Sequence, residues 1–405
     1  MRKIFFYFAP LIIMAMAMAS CQKDDTDFSD IIPQYQVEPA SIELDFSALS
    51  EAPDVPVTDE TDSAYNDYVE NSSWSRVIHI AFDGSAASVT GTVSGVAVQT
   101  VGAHVTVTNL LGPVKFVVSG KTTDGSIKFY GDKRFQICLD GADITNPHGA
   151  AINNQGGKSL YVVLADGTTS TLRDGATYTD VGDEDQKAAL FSEGQIIFSG
   201  KGRLDVYATG RGGIRSDDYI RIRPGANLYV NSSALDGLRA NDGIILDGGV
   251  INIESSGNGA KAVRAEGPMT VNGGRLVAIS TGAPRYSTTD AGLADTTACA
   301  AMHCDSTLVV NSGDIRLKAT GDGGKGLNAQ HHVAFIGGSL QAVADGTRTV
   351  KKPKGVKVDG NFTISGGYFY TYSHRSDPLE VAGTLNVASG YKTYDRGAKL
   401  LIIAY

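Results

Sequence analysis

The chain has 405 residues, a formal net charge of -9, 48 glycines and one tryptophan, Trp74. Acidity of this size argues against a general nucleic-acid binder, which carries a basic surface, so no nucleic acid is expected as a partner. The length would allow several domains, but a repeat array grows linearly without splitting, and no stretch beyond the N-terminus has the period of a long amphipathic helix.

Residues 1–21 have a separate role. Arg2 and Lys3 form a basic start, Ile4 to Met18 an apolar run short for a membrane span, and Met18-Ala19-Ser20-Cys21 a small-residue cleavage site ending in cysteine. This resembles a bacterial lipoprotein signal in which Cys21 becomes the lipidated first residue, with Met18 where Leu is more usual. An ordinary secretion signal with an incidental cysteine is the alternative. The next residues, Gln22-Lys23-Asp24-Asp25, resemble the surface-export signal of Bacteroidetes lipoproteins. Together the resemblances imply an outer membrane lipoprotein exposed at the cell surface and held to the membrane by its lipid. Residues 22–73, rich in Asp and Glu with scattered Pro, read as a flexible acidic spacer, leaving 74–405 as the folded domain.

Cys138 lies in the apolar alternation of Phe135 to Leu139 and is expected in the core. Cys299 and Cys304 could oxidise outside the cytoplasm, but a bond between them would bend the strand they share, which favours free buried thiols.

From Leu190 onward the chain repeats. The apolar anchors Leu190, Ile214, Leu238, Val263, Met302, Leu327 and Val356 each follow Gly or Ala and are 24, 24, 25, 39, 25 and 29 residues apart. The turn doublets Gly248-Gly249, Gly273-Gly274, Ser312-Gly313, Gly337-Gly338 and Gly366-Gly367 repeat the last four spacings, so anchor and turn belong to one unit and extra residues fall between units. A unit of this length cannot bury its own apolar face and must stack on neighbours. Leucine-rich repeats would need a Leu-x-Leu frame with Asn, which does not recur. What recurs is period-two alternation, placing Ile251 and Ile253, Leu276 and Ala278, Ile315 and Leu317, and Phe369 and Thr371 on one inward face. The fold expected is all-β: a parallel β-helix with two or three strands per coil and hydrogen bonds running between coils about 4.8 Å apart.

Stacking turns sequence positions into surface columns. One residue after the anchors stand Phe191, Arg215, Arg239, Arg264, His303, Asn328 and Lys357, all expected to face outward. Two further on stand Glu193, Asp217, Asn241, Glu266, Asp305, Gln330 and Asp359. The two columns can neutralise each other as a solvated salt-bridge face, since like charges about 5 Å apart repel by only ~1 kcal/mol in water. Alternatively the basic column is a ligand platform. The long intervals place Ala283 to Ala298 and Thr347 to Lys354 at one corner, bringing Arg285, Tyr286, Lys351, Lys352 and Lys354 beside it. A cationic row edged by an aromatic suits an extended anionic chain such as a uronate polysaccharide. Candidate ligand-binding residues are therefore Arg215, Arg239, Arg264, Tyr286, Lys351 and Lys357.

No His-Glu-x-x-His, Gly-x-Ser-x-Gly or Cys-x-x-Cys motif occurs. The segments Gly120 to Gly125, Leu139 to Thr145 with Gly149 to Ile152, Leu164 to Thr168 with Leu172 to Gly175, and the coil containing Asp236-Gly237-Leu238 resemble the bacterial carbohydrate-binding β-helix family related to pectate lyases. That resemblance runs from about Trp74 to the C-terminus. It implies a right-handed parallel β-helix that binds plant cell-wall glucans and pectin-type polymers, contains calcium and lacks a clear lyase centre. Calcium takes six to eight oxygens, and stacking would bring Ser216-Asp217-Asp218 over Ala240-Asn241-Asp242, so Asp217, Asp218, Asp236 and Asp242 are the candidate ligands. An Asx-turn ladder capping its own backbone is the equal alternative, and coils beginning Gly212-Gly213, Lys261-Ala262 and Lys325-Gly326 lack the family's Asp-Gly.

Three readings follow: a monomeric surface glycan-binding protein, a calcium-dependent polysaccharide lyase with Arg239 or Arg264 as base, and a surface adhesin that meets another protein.

Overall fold

The computed structural model describes residues 42–404 except 92, 110, 290–291 and 396–398. Cys21, the proposed signal and residues 24–41 lie outside the described residues. No helix among the described residues is long and apolar enough to cross a membrane.

Each repeat is one coil of three strands. Gly212–Ser216, Tyr219–Ile222 and Asn227–Ser232 form one coil; Leu238–Ala240, Gly243–Leu246 and Val250–Ser255 form the next. Each strand pairs in parallel with its equivalent one coil on, giving three faces. The first face is a 12-stranded sheet. Along it Leu190 pairs with Ile214, Ile214 with Leu238, and so on through Met302 and Leu327 to Val356, the register read from the sequence. All seven anchors are buried, as are the inward residues of the third face from Leu228 to Phe369. Burial of a Leu, Ile or Val contributes ~1.5–3 kcal/mol relative to exposure. One coil holds few such residues, so only stacking makes the sum favourable.

The doublet turns sit between the second and third strands. Their second glycines, Gly249, Gly274, Gly313, Gly338 and Gly367, all have φ between 79° and 105°, which L side chains rarely adopt. A Cβ on Gly338 would also lie 2.4 Å from the Gly313 carbonyl oxygen. This close stacking accounts for the recurrence of glycine there.

Antiparallel pairs end the stack. Val96–Val101 folds on Ala103–Asn109 and Val77–Gly84 on Ala87–Thr90 at one end; at the other, Lys399–Ala404 pairs with Tyr368–Ser373 and Tyr391–Asp395. They cover coil edges that would otherwise be open to another chain. Aromatic groups fill the core nearby: Phe116, Phe129 and Phe135 at one end, Phe335, Phe362 and Phe369 at the other. Cys138, Cys299 and Cys304 are free and buried.

Residues 42–73 correct the expectation of a flexible spacer. They form a strap with two short 3-10 turns, Tyr65–Asp67 and Val69–Asn71, lying across the third and second faces. Ile42 is buried. Asp45 exchanges two hydrogen bonds with Asn252 (2.8 and 2.9 Å) and pairs with Arg275 and Arg316. Glu51 accepts the N–H groups of Gly225 and Gly249. Asp67 pairs with Arg221 at 2.8 Å, and Asp54 and Glu70 with Arg223 at 2.7 and 2.8 Å. A segment without apolar periodicity is thus ordered by arginines more than 150 positions away.

Candidate functional site

The first face is the one that the strap does not cross in any contact among the described residues. Its outward column is longer than the repeat analysis found: Thr106, Lys128 and Asn153 precede Phe191, Arg215, Arg239, Arg264, His303, Asn328 and Lys357, and Glu380 follows.

This column is not a bare cationic strip. Arg215 pairs with Asp217 at 3.2 Å, Arg239 with Glu266 and, at 3.6 Å, with Asp236, and Arg264 with Asp305 at 3.1 Å and Glu266 at 3.6 Å. Lys357 pairs with Asp359, and His303 contacts Asp305 at 2.6 Å. The three arginine side chains are only 19–27% exposed. Burial and the neighbouring Arg239 charge push the Arg215 guanidinium below its usual value. Burial raises the Asp305 carboxyl, but the His303 hydrogen bond, with the His303 and Arg264 charges, outweighs it and holds Asp305 at about 2. Of the two readings of the paired columns, mutual neutralisation describes the geometry. It also leaves Arg239 and Arg264 engaged by carboxylates, which disfavours either as a base.

The amides extend the network. Asn241 donates to Asp217 at 3.2 Å, Asn328 lies 2.9 Å from the His303 ring, and Gln330 donates to Asp305 at 2.5 Å. The face is therefore a fixed mosaic of donors and acceptors.

Three insertions, not two, leave the corner between the third and first faces. Arg285–Thr288 and Ala294–Thr297 form an antiparallel hairpin in the second; Tyr286 on it is 68% exposed, beyond the column rather than in it. The third, 345–353, is pinned by the Asp322 carboxylate, which accepts from Thr347 Oγ1 and the N–H groups of Thr349 and Val350. Lys351 is exposed there; Lys354, expected in the insertion, is instead a buried strand residue paired with Asp377 and Glu380. Among the described residues Arg285, Arg348 and Lys351 have no carboxylate within salt-bridge distance, so the insertions carry unmatched cations.

The first insertion, 174–187, was missed because the anchors were counted only from Leu190; the partner of Leu190 is Ile152, a long interval that marks it. This loop folds over the face. Glu184 meets Lys128 at 2.5 Å and the Tyr130 hydroxyl, Gln155 donates to the Asp185 carbonyl, and the Lys187 ammonium lies 5.4 Å from the Phe191 ring centre. Phe191 is consequently fully buried rather than outward in solvent. Burial and Glu184 push the Tyr130 phenol up to about 12.

The four proposed calcium ligands do not converge. Asp236 accepts the Lys261 N–H and faces Arg239, whereas Asp218 accepts the Tyr219 N–H. Burial, then the Asp242 charge, raises the Asp218 carboxyl. Among the described residues the carboxylates that converge are Asp185, Glu193 and Asp217, with oxygens within 4.8 Å of one another. Lys187 already bridges two of them, at 2.5 Å from Asp185 and in contact with Asp217. Burial and the Asp217 charge raise the Glu193 carboxyl. As folded, the trio is matched by an ammonium and does not fit a calcium ion as well.

With this geometry in hand, residues 101–263 match the model of the family described as "Carbohydrate-binding domain-containing protein". That segment contains the first-face strands from Ala103 through Val263 and the roofing loop. A curated protein of the same description from Acetivibrio thermocellus is 32% identical over 124 residues, covering 30% of this chain and 43% of the relative. This chain therefore aligns with less than half of that relative's length. A solved structure described as a polysaccharide lyase-like protein from C. thermocellum, gadolinium derivative, is similar at a TM-score of 0.45 and 21% identity, covering 77% of this chain and 97% of the other.

Proposed function

We propose that the chain is a glycan-binding protein whose first face receives an extended polysaccharide of the pectin or cellulose class. One observation carries this reading: the segment that matches the carbohydrate-binding family, 101–263, includes the first-face strands that the acidic strap leaves uncrossed, beneath and beside the loop 174–187. Guanidinium, carboxylate and amide groups held by one another keep their directions. Such preorganised groups hydrogen-bond sugar hydroxyls without first being ordered. The unmatched Arg285, Arg348 and Lys351 on the insertions supply attraction for uronate carboxylates at the margin. In this reading the protein is a monomer, held by lipid at Cys21 on the outer surface of the cell, and concentrates polysaccharide there without cleaving it. Calcium belongs to it only at Asp185, Glu193 and Asp217, if Lys187 swings away.

Titration of the full chain with polygalacturonate and with a soluble cellulose derivative tests this. Binding of either, weakened by salt for the polyuronate and without growth of unsaturated-product absorbance, is expected. Silence across a glycan array would overturn it, and product absorbance would favour a lyase.

A further inference from the structure

The loop 174–187 does more than cover Phe191: between it and the first coils remains a cavity of about 150 Å³. At ~30 Å³ per water it holds about five waters, the scale of one pyranose ring and not of a chain. Its floor is the outward side of the first face, with Ser126, Lys128 and Asn153. Its rim includes His148, Gln186 and Val181.

Asn153 is the decisive residue. It is 2% exposed, and its Oδ1 accepts from Gln155 at 2.8 Å, yet its Nδ2 has no partner. A buried amide donor left unpaired costs ~1–3 kcal/mol; as folded the group is closed off from solvent, so an oxygen in the cavity relieves that cost once the amide turns toward it. The neighbouring cation is already matched, since Lys128 is held by Glu184 at 2.5 Å. The cavity thus presents an unused donor and mixed polar groups without an unmatched cation from Lys128, a lining for neutral hydroxyls and ring oxygens.

We propose that this cavity binds one neutral hexopyranose residue, at the end of a chain or side branch, with an oxygen accepting from Asn153 Nδ2. The proposal deepens the glycan-binding reading and rests on it: the open part of the face carries the chain, and the roofed end holds a terminal sugar. A volume of about 150 Å³ admits one ring and not the next, so the residue it takes is a terminal one.

Ligand-observed NMR titration of the full chain with D-glucose, D-galactose and D-galacturonate is the test, with polygalacturonate binding measured in parallel. At least one neutral sugar should bind at millimolar concentration and more tightly than galacturonate. Asn153→Leu, close in shape, should weaken it about tenfold. Val181→Trp, at a 38% exposed rim position, should block it while leaving the melting temperature in place, so loss of binding does not depend on whether the Asn153 variant folds. Polymer binding with no monosaccharide binding, or monosaccharide binding indifferent to both variants, overturns the cavity assignment and leaves the face reading intact. Preference for galacturonate overturns the neutral-sugar assignment. Neutral-sugar binding sensitive to both variants, without binding of any polymer, supports the cavity and overturns the extended face.

Discussion

The solenoid carries two sets of arginines, and they differ in what neutralises them. Arg215, Arg239 and Arg264 on the first face meet carboxylates from their own or adjacent coils and stay 19–27% exposed. Arg221 and Arg223, on and just after the second face, meet the strap's Asp67, Asp54 and Glu70, with side chains 11% and 1% exposed; Arg223 also lies 4.3 Å from the centre of the Tyr68 ring. Stacking generates both sets by the same rule. The first set remains at a surface a ligand can reach, whereas the second is enclosed by the chain's own acidic segment. Arginine there fastens the strap; on the first face it pairs within the column and stays part-exposed.

The largest effect should come from the enclosed set. Arg223→Ala removes the partner of Asp54, whose carboxyl burial already holds above its ordinary value despite the Arg223 charge. Losing the charge-assisted hydrogen bonds of the buried guanidinium to these part-exposed carboxylates costs ~2–3 kcal/mol, to be read from urea denaturation. A loss under ~1 kcal/mol would make the strap a loose cover and dissolve the contrast.

A smaller effect should appear in acid on the first face. Asp305 has a folded pKa of about 2 against an ordinary 3.8, so between these values the native state binds fewer protons than the unfolded one. Its contribution, roughly 2 kcal/mol, is present above about pH 4 and is lost as pH falls toward 2. Asp305→Asn should flatten that part of the stability profile; an unchanged acid limb would show that the pairing with His303 and Arg264 contributes little.

Next in size, Arg239→Ala should change stability by less than ~1 kcal/mol, as for exposed pairs, while weakening polygalacturonate binding by ~1–1.5 kcal/mol. A variant that loses stability but not binding would place Arg239 with the structural set. The smallest effect concerns the carboxylate trio. With Lys187 in place, calcium should barely move the melting temperature. Lys187→Ala should create a response, about 0.4 kcal/mol when calcium equals its Kd. A strong chelator-sensitive shift in the wild type would mean that the ion displaces the lysine unaided.

The anchors, the Gly turns and the inward pairs such as Ile251 and Ile253 follow from period-two alternation and from coils stacking in a fixed register. The outward columns followed too, since register carries surface residues with it. Phe191 shows the boundary of that inference: its place in the column was right, but the loop that buries it comes from an insertion before the first anchor counted. The four calcium candidates lie apart for a related reason. Asp236 lies before a first-face strand whereas Asp217, Asp218 and Asp242 follow one, and of these three Asp217 is held by Lys187 and Asp218 by the Tyr219 N–H.

The sequence by itself determined the coil, because alternation, glycine turns and the need of each coil to bury its apolar face act over a few residues and repeat. Only the tertiary structure decided which charges remain available. Residues 42–73 have the composition of a spacer and become a strap because Asp45, Asp54, Asp67 and Glu70 meet arginines brought into line by stacking. The loop 174–187 becomes a roof because Glu184 and Lys187 find partners on separate coils. Ion pairs between segments so distant along the chain leave no periodic trace, since their energy depends on where the fold puts the charges and not on their spacing.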